Sequence, residues 1–274
     1  RRKKISCQTS SRHWQYCNCI AFGPSTAMAR FSKSDQGAVS LGSAMNLLQN
    51  SGGIVLIYVT GDLHGDIDRL NHPMIKKLKS NDVLMVCGDF GFVWDGSKAE
   101  QKLLKKIGSR RYDTLFVEGC HDNYALLKEF PTVAYRGGKA RKISGNVYQL
   151  LRGEVYEICG KKVFAFGGGD SGEMSLDNPM WQAEEQPSEE EQQHGVDSLK
   201  ACRGKVDFII THDAPASIKH FLNLNDNEES TIHLYLDYIA KNCDFEKWFF
   251  GRYHLDKAIP PRYLALFRDV YKAE

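Results

Sequence analysis

Short, unbroken apolar runs recur along the chain from residue 54 onward, and several end in glycine followed by an acid or a histidine. Residues 54–60 form the first, a β-branched run without alternation, which is the pattern of a strand covered on both faces. Residues 83–87 and 114–117 repeat it. Between and after these runs, 66–79, 100–107 and 123–130 read as helices, the first interrupted by Pro73 and the last closed by Pro131. This βαβαβ alternation predicts right-handed crossovers and a largely parallel sheet. Further on, 147–151, 155–159 and 162–166 read as strands, the last two joined by a tight turn at Gly160-Lys161. A solvated acidic helix over 187–200, a strand at 206–211, a helix at 232–241 and a strand at 248–250 follow. Alternating apolar residues at 262–271 finish the pattern, and no segment repeats another.

The first fifty-three residues differ. They are rich in Ser, Gln, Asn and Gly, with periodicity only at a possible helix over 39–48. They hold seven Lys/Arg and one acid, against 29 basic and 33 acidic side chains in the rest, so a net of +6 faces a net of −4. That composition fits a disordered or non-native extension, an organellar targeting segment or a functional arm. The folded domain is therefore expected at 54–274. It carries no basic surplus to attract nucleic acid. No apolar run reaches the roughly 18 residues that span a bilayer. The eight cysteines are scattered, which favours reduced thiols and a cytoplasmic location over a disulfide framework. Cys87 and Cys159 lie in apolar runs where buried thiols are expected, and the Cys17-Asn18-Cys19 pair lacks the second pair of a zinc site.

The chemistry gathers after the strands, where α/β proteins place it. The first run ends in Gly61-Asp62-Leu63-His64-Gly65, the second in Gly88-Asp89, the third in Glu118-Gly119-Cys120-His121-Asp122-Asn123. Later runs end in Thr211-His212-Asp213-Ala214-Pro215 and Phe250-Gly251-Arg252-Tyr253-His254. Positions two apart in extended backbone share a face, so Asp62 and His64 can serve one cation. Taken singly each motif is more often a turn or a surface histidine, but five in order after five strands point to metal. Mixed carboxylate and imidazole donors suit Mn, Fe, Zn or Co.

These motifs, together with the stretches GDFGFVWDG, LLRGEVYEICGKKVFAFGGG and FEKWFFGRYH, resemble the calcineurin-like metallophosphoesterase superfamily. The stretches look especially like an uncharacterised, mostly bacterial branch whose opening motifs relate it to protein serine/threonine phosphatases. The resemblance spans about 54–267 and implies an α/β fold, a four-layer αββα sandwich with two central β-sheets. It implies hydrolysis of phosphate mono- or diesters by a metal-bound hydroxide, with one or two divalent ions per chain. By resemblance, Asp62, His64 and His254 hold the first metal and Asp89 bridges to the second. Cys120, His212 and Arg252 stand at the second metal's remaining positions. His121 matches the acid that protonates the leaving oxygen, with Asp122 orienting it.

Two of these residues depart from the family pattern. Cys120 stands where Asn is usual and remains a soft ligand. Arg252 stands where His is usual and has no lone pair to donate. A unit charge ~4 Å from another costs about 4 kcal/mol at an effective dielectric of 20, and a divalent ion doubles that. Three readings follow: a one-metal enzyme in which Arg252 binds substrate phosphate, a weakened or inactive module that binds phosphate-bearing ligands or a protein partner, or an Arg252 turned to solvent. The substrate class spans phosphoprotein, nucleotide and small phosphodiester, and Phe92, Trp94 and Tyr253 are candidates for a substrate cleft or for packing at the sheet ends.

Overall fold

The parallel strands form where the apolar runs predicted them. A computed structural model describes residues 55–171, 182–224 and 230–273. Residues 1–54, with the helix expected at 39–48 and the Cys17-Cys19 pair, lie outside the described residues. Strands β1 (Ile57–Thr60), β2 (Val83–Val86) and β3 (Asp113–Phe116) are entirely or largely buried and pair in parallel. Strands β4 (Thr132–Tyr135) and β5 (Gly138–Ser144) form an antiparallel hairpin that joins β6 (Val147–Leu150), itself parallel to β3. The last strand, β13 (Val270–Ala273), pairs antiparallel with β1 and gives a seven-stranded sheet ordered β13-β1-β2-β3-β6-β5-β4.

The second sheet has six strands: β7 (Glu154–Ile158), β8 (Lys161–Phe166), β9 (Phe208–Thr211), β10 (Lys247–Phe250), β11 (Lys257–Ile259) and β12 (Tyr263–Ala265). Their order is β11-β12-β10-β9-β8-β7, with β8, β9, β10 and β12 parallel. The turn between β7 and β8 falls on Cys159 and Gly160, with φ of 54° and 77°, one residue before its expected place. Two left-handed residues are what a two-residue hairpin of type I′ requires. Cys159 is accordingly a half-buried turn residue, whereas Cys87 is fully buried as expected.

The pleat divides each strand's side chains between two cores. Ile57, Val59, Val83, Met85 and Leu115 face Val163, Ala165, Phe208, Ile210 and Phe249 between the sheets. On the other face of the first sheet, Tyr58, Leu84, Val86 and Phe116 lie against Leu104 and Ile107 of α2 (Lys98–Gly108), which follows the short α1 (Pro73–Lys76). On the outer face of the second sheet, Phe164, Phe166, Ile209 and Trp248 meet Leu199 of α4 (Glu189–Ala201) and Ile232, Leu236 and Ile239 of α6 (Thr231–Asn242). Helices α3 (Tyr124–Lys128) and α5 (Ala216–Phe221) are single short turns after β3 and β9. Three apolar cores between four layers make the expected αββα sandwich. Among the described residues, no helix is long and apolar enough to cross a membrane.

One local expectation needs correction. The helix at 66–79 is split into a 3-10 turn, Ile67–Asn71, and α1, because His72 caps a new helix and Pro73 fits its first position. The alternating segment at 262–271 is divided between the two sheets. It supplies β12 to the second sheet and then crosses to the first, and Asp256 accepts the backbone N–H groups of Phe267, Arg268 and Asp269 at that crossing.

Candidate metal centre

Parallel register sets the five motif loops at one end of both sheets: Thr60 lies opposite Val86, Val86 opposite Phe116, and Phe166 opposite Thr211. The loops are sharply bent. His64, Asp89 and His254 have φ of 47°, 42° and 52°, a left-handed backbone that side chains other than glycine seldom adopt. Such strain persists where surrounding structure enforces it and is concentrated at functional sites. Glycine is required beside them. A Cβ on Gly88 would lie 2.1 Å from His212 Nδ1, and one on Gly119 would lie 2.1 Å from Asp89 Oδ1.

The Asp62 carboxylate is fully buried, and neither oxygen has a hydrogen-bond partner among the described residues. His254 Nε2 is 3.2 Å from Oδ2 and His64 Nε2 is 3.9 Å from it. The two imidazole nitrogens are themselves 3.0 Å apart. Three donor atoms converge on one point, and their ligand atoms lie within 4.8 Å of one another. A second convergence, wholly buried, joins Asp62, Asp89 and His212. His212 Nδ1 lies 3.0 Å from the carbonyl of Cys87, to which it can donate, while Nε2 is buried, without a hydrogen-bond partner and 3.6 Å from Asp89 Oδ1. A histidine tied to backbone through one nitrogen presents the other as a ligand. Buried carboxylate oxygens and imidazole nitrogens left without partners are what a cation satisfies, so these residues fit one.

The electrostatics agree with this grouping. Burial opposes charge on both His212 and Asp89, yet their mutual attraction outweighs it. His212 is raised well above its ordinary range, helped by Asp62, and Asp89 is held below the usual carboxylate range, helped by a hydrogen bond from His121. Burial lowers His64 despite the nearby Asp89 and Asp62.

The third motif differs from expectation. His121 Nδ1 lies 2.9 Å from Asp89 Oδ2, and its backbone N–H donates to Asp89 Oδ1 at 2.8 Å. Asp122, assigned to orient His121, instead accepts the backbone N–H groups of Gly119, Gly91 and Phe90 at 2.9, 3.0 and 3.3 Å. It fastens the second and third loops together, and Asp89 is the carboxylate on the His121 ring. Burial, reinforced by Asp89, raises the Asp122 carboxyl.

Cys120 belongs to neither ligand group among the described residues. Burial pushes its thiol up to about 11, against the pull of His212 and Arg252. Its Sγ lies 3.1 Å from Arg252 Nη1. Arg252 does not turn to solvent: its side chain is 15% exposed and Nε lies 3.3 Å from Asp213 Oδ2. Asp213 is fully buried and also meets His233 Nε2 at 3.1 Å and the Tyr253 hydroxyl. Sequence reasoning quoted Asp213 in its motif without giving it a role, and missed His233. A strand-end carboxylate next to a candidate ligand is a signal for the first, whereas His233 opens a helix with no spacing to mark it. Of the three candidate cleft aromatics, Phe92 is core and Tyr253 serves Asp213. Trp94 is 41% exposed on a loop pinned by Glu100 and Asn123.

A sandwich of two parallel-centred sheets with carboxylates and imidazoles converging at the strand ends defines a metal-dependent phosphoesterase. The chain belongs to the calcineurin-like phosphoesterase family, whose model matches residues 55–256. No curated protein matches it.

Proposed function

We propose that the chain hydrolyses phosphate mono- or diesters with one divalent ion held by Asp62, His64 and His254, and with Arg252 supplying positive charge on the second-metal side. The buried Asp62 carboxylate, without hydrogen-bond partners and facing two imidazole nitrogens 3.0 Å apart, carries this reading. A bound Mn, Fe, Zn or Co ion lowers the pKa of water and neutralises phosphoryl charge. Asp89 fixes His121 through Nδ1, which orients the ring to protonate the leaving oxygen from Nε2. Arg252 is anchored at Nε and Nη1, and Nη2 makes no hydrogen bond among the described residues, which leaves it for a phosphoryl oxygen. Phosphoproteins, nucleotides and small phosphodiesters are the substrate classes, and the scattered cysteines favour the cytoplasm.

The test is hydrolysis of p-nitrophenyl phosphate and its bis-ester with added Mn²⁺, alongside metal quantification. The expected metal content is one equivalent per chain. His121→Ala is expected to lower kcat about 10²- to 10⁴-fold, the usual contribution of a general acid. An unchanged rate would remove His121 from the reaction.

A module that binds phosphate-bearing ligands or a protein partner without turnover is the second reading, and the Cys120–Arg252 contact favours it. The double variant Cys120→Asn, Arg252→His separates the two. If the second site is impaired by these residues, metal content rises toward two equivalents and hydrolysis increases. No gain in either quantity would show that the departures are not what limits the site.

A further inference from the structure

We infer that His233 and Tyr253 are positioning residues that act through Asp213 to hold the Arg252 guanidinium in the orientation substrate phosphate requires. The inference rests on the role proposed for Arg252 and extends it to residues that are not among the proposed metal ligands. Asp213 lies two residues past β9, and both carboxylate oxygens have several partners. Oδ2 meets Asp170 N–H at 3.1 Å, His233 Nε2 at 3.1 Å and Arg252 Nε at 3.3 Å. Oδ1 accepts from Ala214 N–H at 2.8 Å and from the Tyr253 hydroxyl. The backbone of Asp213 is held as well: its carbonyl accepts from Thr211 Oγ1 at 2.6 Å, and Thr211 Oγ1 accepts from Trp248 Nε1 at 2.9 Å.

The His233 ring is fixed from both sides. Ser230 N–H donates to Nδ1 at 3.2 Å, which turns Nε2 toward Asp213, 3.1 Å from Oδ2. His233 is 1% exposed and Asp213 is fully buried, so water cannot replace either partner. Without His233 and Tyr253, Asp213 would lose two of its three side-chain donors and could rotate away from Arg252. Arg252 would then be held by the Cys120 thiol alone, a weak acceptor. A planar guanidinium binds phosphate well only when its fork is already aimed, so the benefit of the network is orientation.

A purely structural role for His233, closing the first turn of α6, has to be separated from positioning. The measurement is the Nε–H signal of Arg252 in the full chain labelled with ¹⁵N-arginine and loaded with zinc, assigned by its loss in Arg252→Lys. Exchange of that proton with water is expected to be slow in the wild type and faster in His233→Leu and in Tyr253→Phe. The affinity for inorganic phosphate is expected to fall about tenfold in His233→Leu, the scale of one charge-assisted hydrogen bond. His233→Gln, which keeps a donor, is expected to recover part of both. In an Arg252→Gln background, His233→Leu is expected to have no further effect on phosphate affinity. Unchanged Arg252 exchange in both His233→Leu and Tyr253→Phe would overturn the inference, and Tyr253→Phe decides the matter if His233→Leu fails to fold. Wild-type phosphate affinity in Arg252→Gln alone would instead count against the role proposed for Arg252, while the exchange measurement still decides what holds it.

Discussion

Replacing Asp62 with Asn is expected to lower hydrolysis by about a thousandfold or more, roughly 4 kcal/mol of barrier, and to leave the metal-free protein at least as stable as the wild type. The two outcomes have one cause. Asp62 contributes to both convergent ligand groups, so its charge cannot be supplied by a neighbour. The same charge is buried with neither oxygen in a hydrogen bond among the described residues, only imidazoles 3.2 and 3.5 Å away, and taking a carboxylate out of water costs several kcal/mol even after relaxation. Asn keeps the shape and removes the charge. In the wild type a bound metal offsets the cost, and a concentration a hundredfold above Kd adds about 2.7 kcal/mol of stability. Thermal unfolding with and without metal reads both terms. The wild type is expected to show a metal-dependent rise in Tm, and Asp62→Asn none. If Asp62→Asn unfolds at a markedly lower temperature than metal-free wild type, the carboxylate has a structural partner and the metal reading loses its main support.

The second large effect concerns stability and lies behind the third motif. Arg152 and Glu118 are both buried, with Nε 2.6 Å from Oε1. Gln149 donates to the other Glu118 oxygen at 2.8 Å. The Arg152 guanidinium also reaches Glu191 at 2.8 Å and the Glu184 carbonyl at 2.7 Å, tying α4 and the 3-10 turn Ala183–Glu185 to β3. Arg152→Ala leaves Glu118 charged in a dry site, and breaking a buried pair in this way costs about 3–5 kcal/mol. For a domain of this size that is a fall in Tm of roughly 10 °C. Glu118 directly precedes Gly119-Cys120-His121, so activity is expected to fall before global unfolding does. The double variant Arg152→Met, Glu118→Gln is expected to recover part of the loss, because no unpaired charge remains. Denaturant unfolding of the two variants measures the difference.

The parallel strands were legible in the sequence because a strand buried on both faces needs an unbroken apolar run, and little else is that short and that apolar. The hairpin β4–β5 was not. Its second strand, Gly-Lys-Ala-Arg-Lys-Ile-Ser, carries three cations and breaks its alternation where the register shifts between Lys142 and Ser144, so no period shows. Strand β11 has three residues, too few for any period to show. The ligand groups were legible because each ligand lies within four residues past a strand end. The supporting contacts were not, because they join residues far apart in sequence. His121 could be matched to its neighbour Asp122 from the motif, but the folded loop brings Asp89, thirty-two positions away, onto its ring. The contact of Arg252 with Cys120 spans 132 positions, and only the closing of the two sheets on each other creates it.

The pairing of β13 with β1 has a consequence for biosynthesis. The strand that delivers Asp62 is made first among the described elements, and the strand that covers its outer edge is made last. On the ribosome, β1, β2 and β3 can pair as soon as they emerge, but the edge of β1 stays open until residues 270–273 follow. His254 also comes late in that order, so both sheet closure and the Asp62–His64–His254 group wait for the last of the described elements. The nascent chain therefore presents an unpaired β1 edge until β13 has emerged, the kind of surface on which chaperones act and at which chains join one another.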